Sequence, residues 1–293
     1  MTSPSDTRPI VVGIDPDPTK RVALAWAADE ADRRRLPLRL VYVREEPSAK
    51  YRTAELRPAW DAWDEALRTL GIRALEQAEE FIKDRRPGVE VSVLLVEGDA
   101  ASVLRGQARE ATAVVLGSRH LTALQELVPS LAVAVPVIAH THCPVIVVRE
   151  AEHITQQPPF LVVGVDGSPD SETAVDYAFE EAALRGAGLQ ALYVWHPPLL
   201  GVLDEQAARQ ECRRLLSETV AGRTAAYPDV TVHHEVVRGH PVKVLSGASA
   251  HALGLVVGSR GLGGFTGLIL GSVSQGVLHH ALCPVMVVPH PKR

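Results

Sequence analysis

Leu253-Gly-Leu-Val-Val-Gly258, continuing as Ser-Arg-Gly-Leu-Gly-Gly-Phe-Thr-Gly-Leu-Ile-Leu-Gly271-Ser-Val-Ser274, is the stretch that decides the fold. The apolar run Leu253–Val257 reads as a short buried strand, and Val273–Leu282 has the apolar spacing of a helix. Strand, glycine-rich loop and helix, in that order, aim backbone N–H groups and a positive helix end at a phosphate. Gly258, Gly261 and Gly271 can adopt positive φ and let a ligand approach the backbone closely. Ser272 and Ser274 fall at the helix start, where hydroxyls cap N–H groups or meet phosphate oxygens, with Val273 between them in the same cradle.

The spacing is G-x2-G-x9-G-[ST], met by Gly258, Gly261, Gly271 and Ser272. With glycine near 7% of residues, chance gives this pattern in about one chain in a hundred of this length. It is neither the Walker loop nor the dinucleotide G-x-G-x-x-G at a first strand.

Outward from this stretch the chain repeats itself. Ile10-Val-Val-Gly-Ile-Asp15 recurs as Leu161-Val-Val-Gly-Val-Asp166, and Leu40-Val-Tyr-Val43 as Ala191-Leu-Tyr-Val194. Val96-Glu-Gly98 matches Val237-Arg-Gly239, and Val114-Val-Leu-Gly-Ser-Arg119 matches Leu255-Val-Val-Gly-Ser-Arg260. Cys143-Pro-Val-Ile-Val-Val148 matches Cys283-Pro-Val-Met-Val-Val288. Five signals in one order define a duplication, with domains over 1–149 and 160–293 and a polar, proline-bearing linker over 150–159.

Each half alternates strands with amphipathic helices. In the first, strands are predicted near 9–15, 37–43, 89–96, 112–117 and 144–148, and helices near 19–35, 53–85, 100–110 and 130–141. Near-continuous apolar strands are the mark of a parallel sheet covered on both faces. Right-handed crossovers then predict α/β architecture: two tandem doubly wound domains, each a five-stranded parallel sheet flanked by helices. Ligands in such sheets bind beyond the carboxyl ends of strands, where the strand order reverses. Asp166 ends one strand and Gly258 another, so this order would bring Asp166 close to the glycine loop.

With VVGVDGS, the Gly239-His-Pro turn and GSRGLGGFTGLILGSVS in place, the chain resembles a tandem universal stress protein of the ATP-binding branch. The resemblance covers nearly the whole chain, in two copies, and is specific in the second. It implies that Gly164, Val165 and Asp166 line the ribose and base side and that the Val194 backbone meets adenine. It implies that Gly258, Gly261, Gly271, Ser272 and Ser274 hold ribose and phosphates, with Arg260 and Val273 in the same loop. It also implies pairing through the last strands, here Pro144–Val148 and Pro284–Val288, into dimers or pseudo-dimers.

The first copy departs from the pattern. His120 stands in place of Gly261, Ser130 of Gly271 and Leu131 of Ser272, while Glu126 adds negative charge inside the loop. Pro136 falls six residues into the matching helix, where proline costs about 3 kcal/mol or forces a kink. Gly13, Asp15, Val43 and Gly117 survive, which leaves the frame of a base-and-ribose pocket without a phosphate cradle. About one ATP per chain is expected.

Other residues read as structural. His140, His142, His279 and His280 are helix-end or interface histidines, and Arg33-Arg-Arg35 complements a helix C-terminus. Cys143 and Cys283 behave as small buried hydrophobes, and Trp26, Trp60 and Trp63 as packing residues. The chain has 293 residues and a formal net charge of −5, which argues against a nucleic-acid surface. No apolar run approaches the ~20 residues of a membrane span, and three cysteines without C-x-x-C favour a cytoplasmic location. The polar start, Met1–Pro9, lacks a signal peptide's apolar stretch.

Three function classes remain. One is an ATP-binding sensor or switch in stress response, working as a homodimer toward an unknown protein partner. The second is a slow ATP hydrolase or adenylate-chemistry enzyme, and the third a partner-binding module without nucleotide. The loop offers Arg260 and no carboxylate after it, so the sequence does not support efficient turnover, and any Mg²⁺ would be held mainly by the phosphates.

Overall fold

The computed structural model describes residues 8–15, 17, 21–44, 57–118, 133–149, 155–195, 204–262 and 270–290. The chain divides into two compact units, Met1–Val137 and Ile138–Arg293.

In the first unit, β1 (Ile10–Gly13), β2 (Leu38–Arg44), β3 (Val91–Glu97) and β4 (Ala113–Ser118) run parallel in the order β3-β2-β1-β4. Helices α1 (Val22–Arg34) and α2 (Arg57–Arg85) pack on the sheet and against each other, and α3 (Ala100–Ala108) packs on β1, β2 and β4. The valines and leucines of the central strands, Val11, Val12, Val114 and Val115 among them, are fully buried, because helices remove both faces of the sheet from water. Each such side chain contributes about 1.5–3 kcal/mol of transfer free energy.

α4 (Ala134–His140) begins later than its pattern predicts, and this corrects the reading of Pro136. Pro136 is the third residue of the helix, inside the first turn, where an N–H would have no intrahelical partner. The helix accommodates it without losing a hydrogen bond. His120, Glu126, Ser130 and Leu131 lie outside the described residues.

In the second unit, β6 (Phe160–Val165), β7 (Gly188–Trp195), β8 (Val232–Arg238), β9 (Gly254–Gly258) and β10 (Val285–Val288) form the expected five-stranded parallel sheet, in the order β8-β7-β6-β9-β10. β5 (Val145–Arg149) joins it antiparallel to β10, with Val147 opposite Val285. The two last strands of the repeat thus close one another's apolar edges inside the chain. Helix α5 (Pro169–Arg185) packs on β6, β9 and β10, and α6 (Glu205–Val220) on β7 and β8. After the short α7 (Arg223–Ala226) come α8 (Pro241–Ala248) and α9 (Ser272–His280), which pack on each other.

Local chemistry sets the helix ends. Ser168 caps α5 by accepting from Ser171 N, Pro169 occupies the first helical position, and Gly186 ends the helix at φ 59°. α1 ends likewise at Arg35, with φ 53° and basic Arg33 and Arg34 in the last turn. Cys143, Cys212 and Cys283 are buried, and burial pushes the Cys283 thiol up to about 12. Trp63 departs from its expected packing role and is 46% exposed.

Candidate functional site

β6 and β9 are neighbours in the second sheet, and the strand order reverses between them. The carboxyl end of β6 carries Asp166. Its Oδ1 accepts from Ser168 N at 2.9 Å, folding the turn into α5, and its Oδ2 accepts from Leu262 N at 3.1 Å. The second contact spans the switch point and joins the end of β6 to the glycine loop, as the strand order predicts. Each carboxylate oxygen keeps lone pairs beyond these bonds.

The three motif glycines are needed for space rather than for left-handed backbone. None has positive φ, and Gly271 sits at φ −63°, ψ 144°, which any residue adopts. A Cβ on Gly261 would overlap Asp166 Oδ2. On Gly258 it would lie 2.8–2.9 Å from the backbone and Cβ of Asp170, and on Gly271 3.3 Å from Arg260 Cα and Ser259 O. The loop thus runs against backbone at Gly258 and Gly271 and against the Asp166 carboxylate at Gly261, which leaves little room for a side chain at any of the three.

At the start of α9, Ser272 is exposed and makes no side-chain hydrogen bond among the described residues. Ser274 is buried, and its hydroxyl donates to Gly258 O at 2.6 Å. Its hydroxyl ties the helix to the end of β9. Gly271 N donates to Ser259 O at 2.8 Å, which brings the two ends of the loop together. Gly271 is the N-cap of α9 and brings no side chain, so the helix start, with Val273 half-buried behind Ser272, presents its first N–H groups uncapped by any described side chain.

The remaining expected positions lie along the ends of β6 and β7. Gly164 faces α8, where a Cβ would stand 3.2 Å from Leu245, and Val165 is buried. Val194 lies one residue past the last β6–β7 pair, Val165↔Tyr193, and opposite Val237 of β8. Burial, with Cys212 and the Asp166 charge nearby, pushes the Tyr193 hydroxyl up. In the first unit, Asp15 makes the same turn, its Oδ1 accepting from Asp17 N at 2.9 Å. Gly13 ends β1 beside Leu116 and Leu104, Val43 lies near the end of β2 opposite Val96 of β3, and Gly117 is exposed near the end of β4.

The structure brings in residues that the sequence did not single out. Asp170, in the first turn of α5, accepts from Ser259 Oγ and from Arg260 N, both at 2.8 Å. Its carboxylate, Arg260, Gly261 and His290 line a cleft of about 310 Å³. The only sequence signal at Asp170 is an acidic residue in a helix's first turn, which by itself reads as a dipole partner. Farther off, Arg149 of β5 donates to the carbonyls of His279 and Ala281 at 2.9 and 2.6 Å, satisfying the C-terminal end of α9. Burial lowers the Arg149 and His279 pKa values, with the charges of His280 and Arg149 adding at His279. No group of three metal-ligating side chains occurs among the described residues, and no described helix is long and apolar enough to cross a membrane.

An acidic residue and a glycine loop facing each other across the switch point place the chain in the doubly wound α/β class, whose ligand sites lie at that point. The particular family follows from comparison. The Universal stress protein family is matched over residues 6–149 and again over 161–289, and the chain belongs to that family. A universal stress protein of Mycobacterium tuberculosis strain H37Rv is 36% identical over 295 residues, spanning 98% of this chain and 99% of its own length. One from Mycolicibacterium smegmatis is 35% identical over 95% of this chain and 96% of its own. Among solved structures, a universal stress protein from Archaeoglobus fulgidus shares the fold with a TM-score of 0.68 at 16% identity, covering 98% of both chains. A putative universal stress protein from Pseudomonas aeruginosa shares it with a TM-score of 0.65 at 18% identity, covering 97% of this chain and 93% of that one.

Proposed function

We propose that the second half binds an adenine nucleotide, ATP foremost, and that the chain works as a nucleotide-dependent sensor or switch. The observation that carries this reading is the Asp166–Leu262 contact across the β6/β9 switch point, set beside an α9 start that no described side chain caps. The unused lone pairs of Asp166 accept ribose hydroxyls, and the Val194 backbone, past the end of β6 pairing, meets the adenine edge. Phosphate oxygens take the N–H groups of Ser272 and Val273, with the half-exposed guanidinium of Arg260 as counter-charge. Ser272 is exposed there, whereas Ser274 holds the helix to the end of β9. Any Mg²⁺ is held mainly by the phosphates.

The same reading takes 1–149 and 160–293 as domains joined by 150–159, a cytoplasmic location, and a homodimer acting on an unknown protein partner. With β5 and β10 zipped together, surfaces other than that edge carry the contact between chains. The test is to release and identify any copurifying nucleotide, then titrate nucleotide-free protein with ATP by calorimetry and follow ATP and ADP over hours. One site per chain without turnover is the expected result. Absence of binding, or rapid hydrolysis, would overturn it.

A further inference from the structure

Asp170 does more than complement the dipole of α5. Both of its loop contacts converge on one oxygen, Oδ2, which accepts from the Ser259 hydroxyl and the Arg260 N–H at 2.8 Å each. Asp170 is only 8% exposed and Ser259 only 4%, so the Ser259 hydroxyl has little water to fall back on. The Arg260 guanidinium stands 3.9 Å from the same oxygen, and its side chain is half exposed. Gly258 is kept side-chain-free by the Asp170 backbone pressing on it. The first turn of α5 is thus riveted to the two residues that lead from β9 into the glycine loop. Those two residues in turn touch Gly271, whose N–H donates to Ser259 O. One carboxylate therefore sets the spacing between the Asp166 end of the loop and the α9 end.

We infer that Asp170 is the positioning residue of the nucleotide loop: its oxygen fixes the backbone of Ser259 and Arg260, and its charge tempers Arg260 toward phosphate. This rests on the nucleotide reading of the same site. The two roles separate chemically. An asparagine places a neutral amide oxygen where Oδ2 stands, keeping both hydrogen bonds and deleting the charge. An alanine deletes both and leaves two inward-facing donors unmatched. In the first half the position in register is Thr19, which carries no charge in either role.

The experiment titrates nucleotide-free full-length protein with AMP and with ATP, for the native chain, Asp170→Asn, Asp170→Ala and Ser259→Ala, with circular dichroism as the check on folding. Asp170→Ala is expected to weaken AMP about tenfold or more, and Ser259→Ala, which removes one donor without stranding another, about threefold. Asp170→Asn is expected to bind AMP within about threefold of native while its preference for ATP over AMP rises by about threefold, because a negative charge beside Arg260 is gone. That shift with phosphate number is one that a merely structural role would not produce. If Asp170→Ala does not fold, the Ser259→Ala and Asp170→Asn arms decide. Native-like AMP binding in Ser259→Ala, with an unchanged ATP-to-AMP ratio in Asp170→Asn, overturns the assignment and leaves the nucleotide reading standing. A native chain that binds neither AMP nor ATP overturns both.

Discussion

The two halves begin from the same strand ends and diverge in what is packed against them. Asp15 and Asp166 each close an Asx turn onto the N–H two residues on, at the same 2.9 Å. After that turn α5 starts at Pro169 under a Ser168 cap, whereas α1 starts only at Val22, behind an Arg21 that brings no capping side chain. In the first turn of α5, Asp170 lies against Gly258, and a Cβ there would meet its backbone at 2.8 Å. At Gly117, the equivalent in the first half, the nearest described atom to a Cβ would be Ala23 Cβ at an ordinary 3.6 Å. The helix after the fourth strand has nine residues as α9 and seven as α4. One half thus spends its glycines on close approach around a loop, and the other keeps the sheet but carries His120 and Ser130 in place of two of those glycines. A duplicated α/β unit can hold its core constant and let the strand-end geometry diverge, because core and switch point draw on different residues.

The largest effect expected from this difference is at Gly261. Gly261→Ala forces the loop away from Asp166 and should lower adenine-nucleotide affinity at least about a hundredfold, or roughly 3 kcal/mol, with the domain still folded. His120→Ala, at the matching position of the first half, should leave affinity and stoichiometry unchanged in the same calorimetric titration. A second tight site per chain, or loss of half the binding in the His120 variant, would break the comparison.

Next in size is the stability contrast at the fourth-strand glycines. Gly258→Ala should cost about 1–3 kcal/mol by overpacking against Asp170. Gly117→Ala should change stability by less than about 1 kcal/mol, in the stabilising direction, by restricting the unfolded chain. Urea unfolding of the two variants measures both, and equal losses would show that the first half is packed as tightly as the second.

Ser274→Ala should cost about 1 kcal/mol of stability through the lost bond to Gly258 O. Nucleotide affinity should fall only as far as α9 loosens. A large affinity loss at unchanged stability would mean that the hydroxyl meets phosphate directly.

The smallest effect concerns Cys283. Its thiol is raised by burial from the ordinary 9.0 to about 12, so the folded state disfavours the thiolate. The sign follows: this contribution to stability is complete below about pH 9 and is lost as the pH climbs toward 12. Iodoacetamide at pH 8.5 should therefore leave Cys283 unmodified until the chain is unfolded by urea. Rapid labelling of the folded protein would contradict its burial.

Much of this was legible in the residues alone. Apolar runs such as Val11-Val12, Val114-Val115 and Val256-Val257 are long enough in sequence to demand two-sided burial, so the parallel sheet follows from hydrophobic periodicity. The repeat fixed two copies of one topology, and the G-x2-G-x9-G-[ST] spacing located the loop and the start of α9. These are local signals, carried by neighbours in the chain. The sequence did not determine why the glycines are there. Positive φ is the usual local reason for glycine, but at 258, 261 and 271 the reason is contact with Asp170, Asp166 and Arg260, residues up to 95 positions away in the chain (261 − 166). Ser274 reads as a helix cap or a phosphate partner, and only the placing of β9 beside α9 brings its hydroxyl to Gly258 O. Pro136 reads as a kink until the helix start is fixed at Ala134. Asp170 reads as a helix-dipole residue until the β6/β9 pairing brings Ser259 and Arg260 onto it. Periodicity and spacing record which face of an element is buried, whereas hydrogen-bond partners across a switch point exist only once the strand order is set.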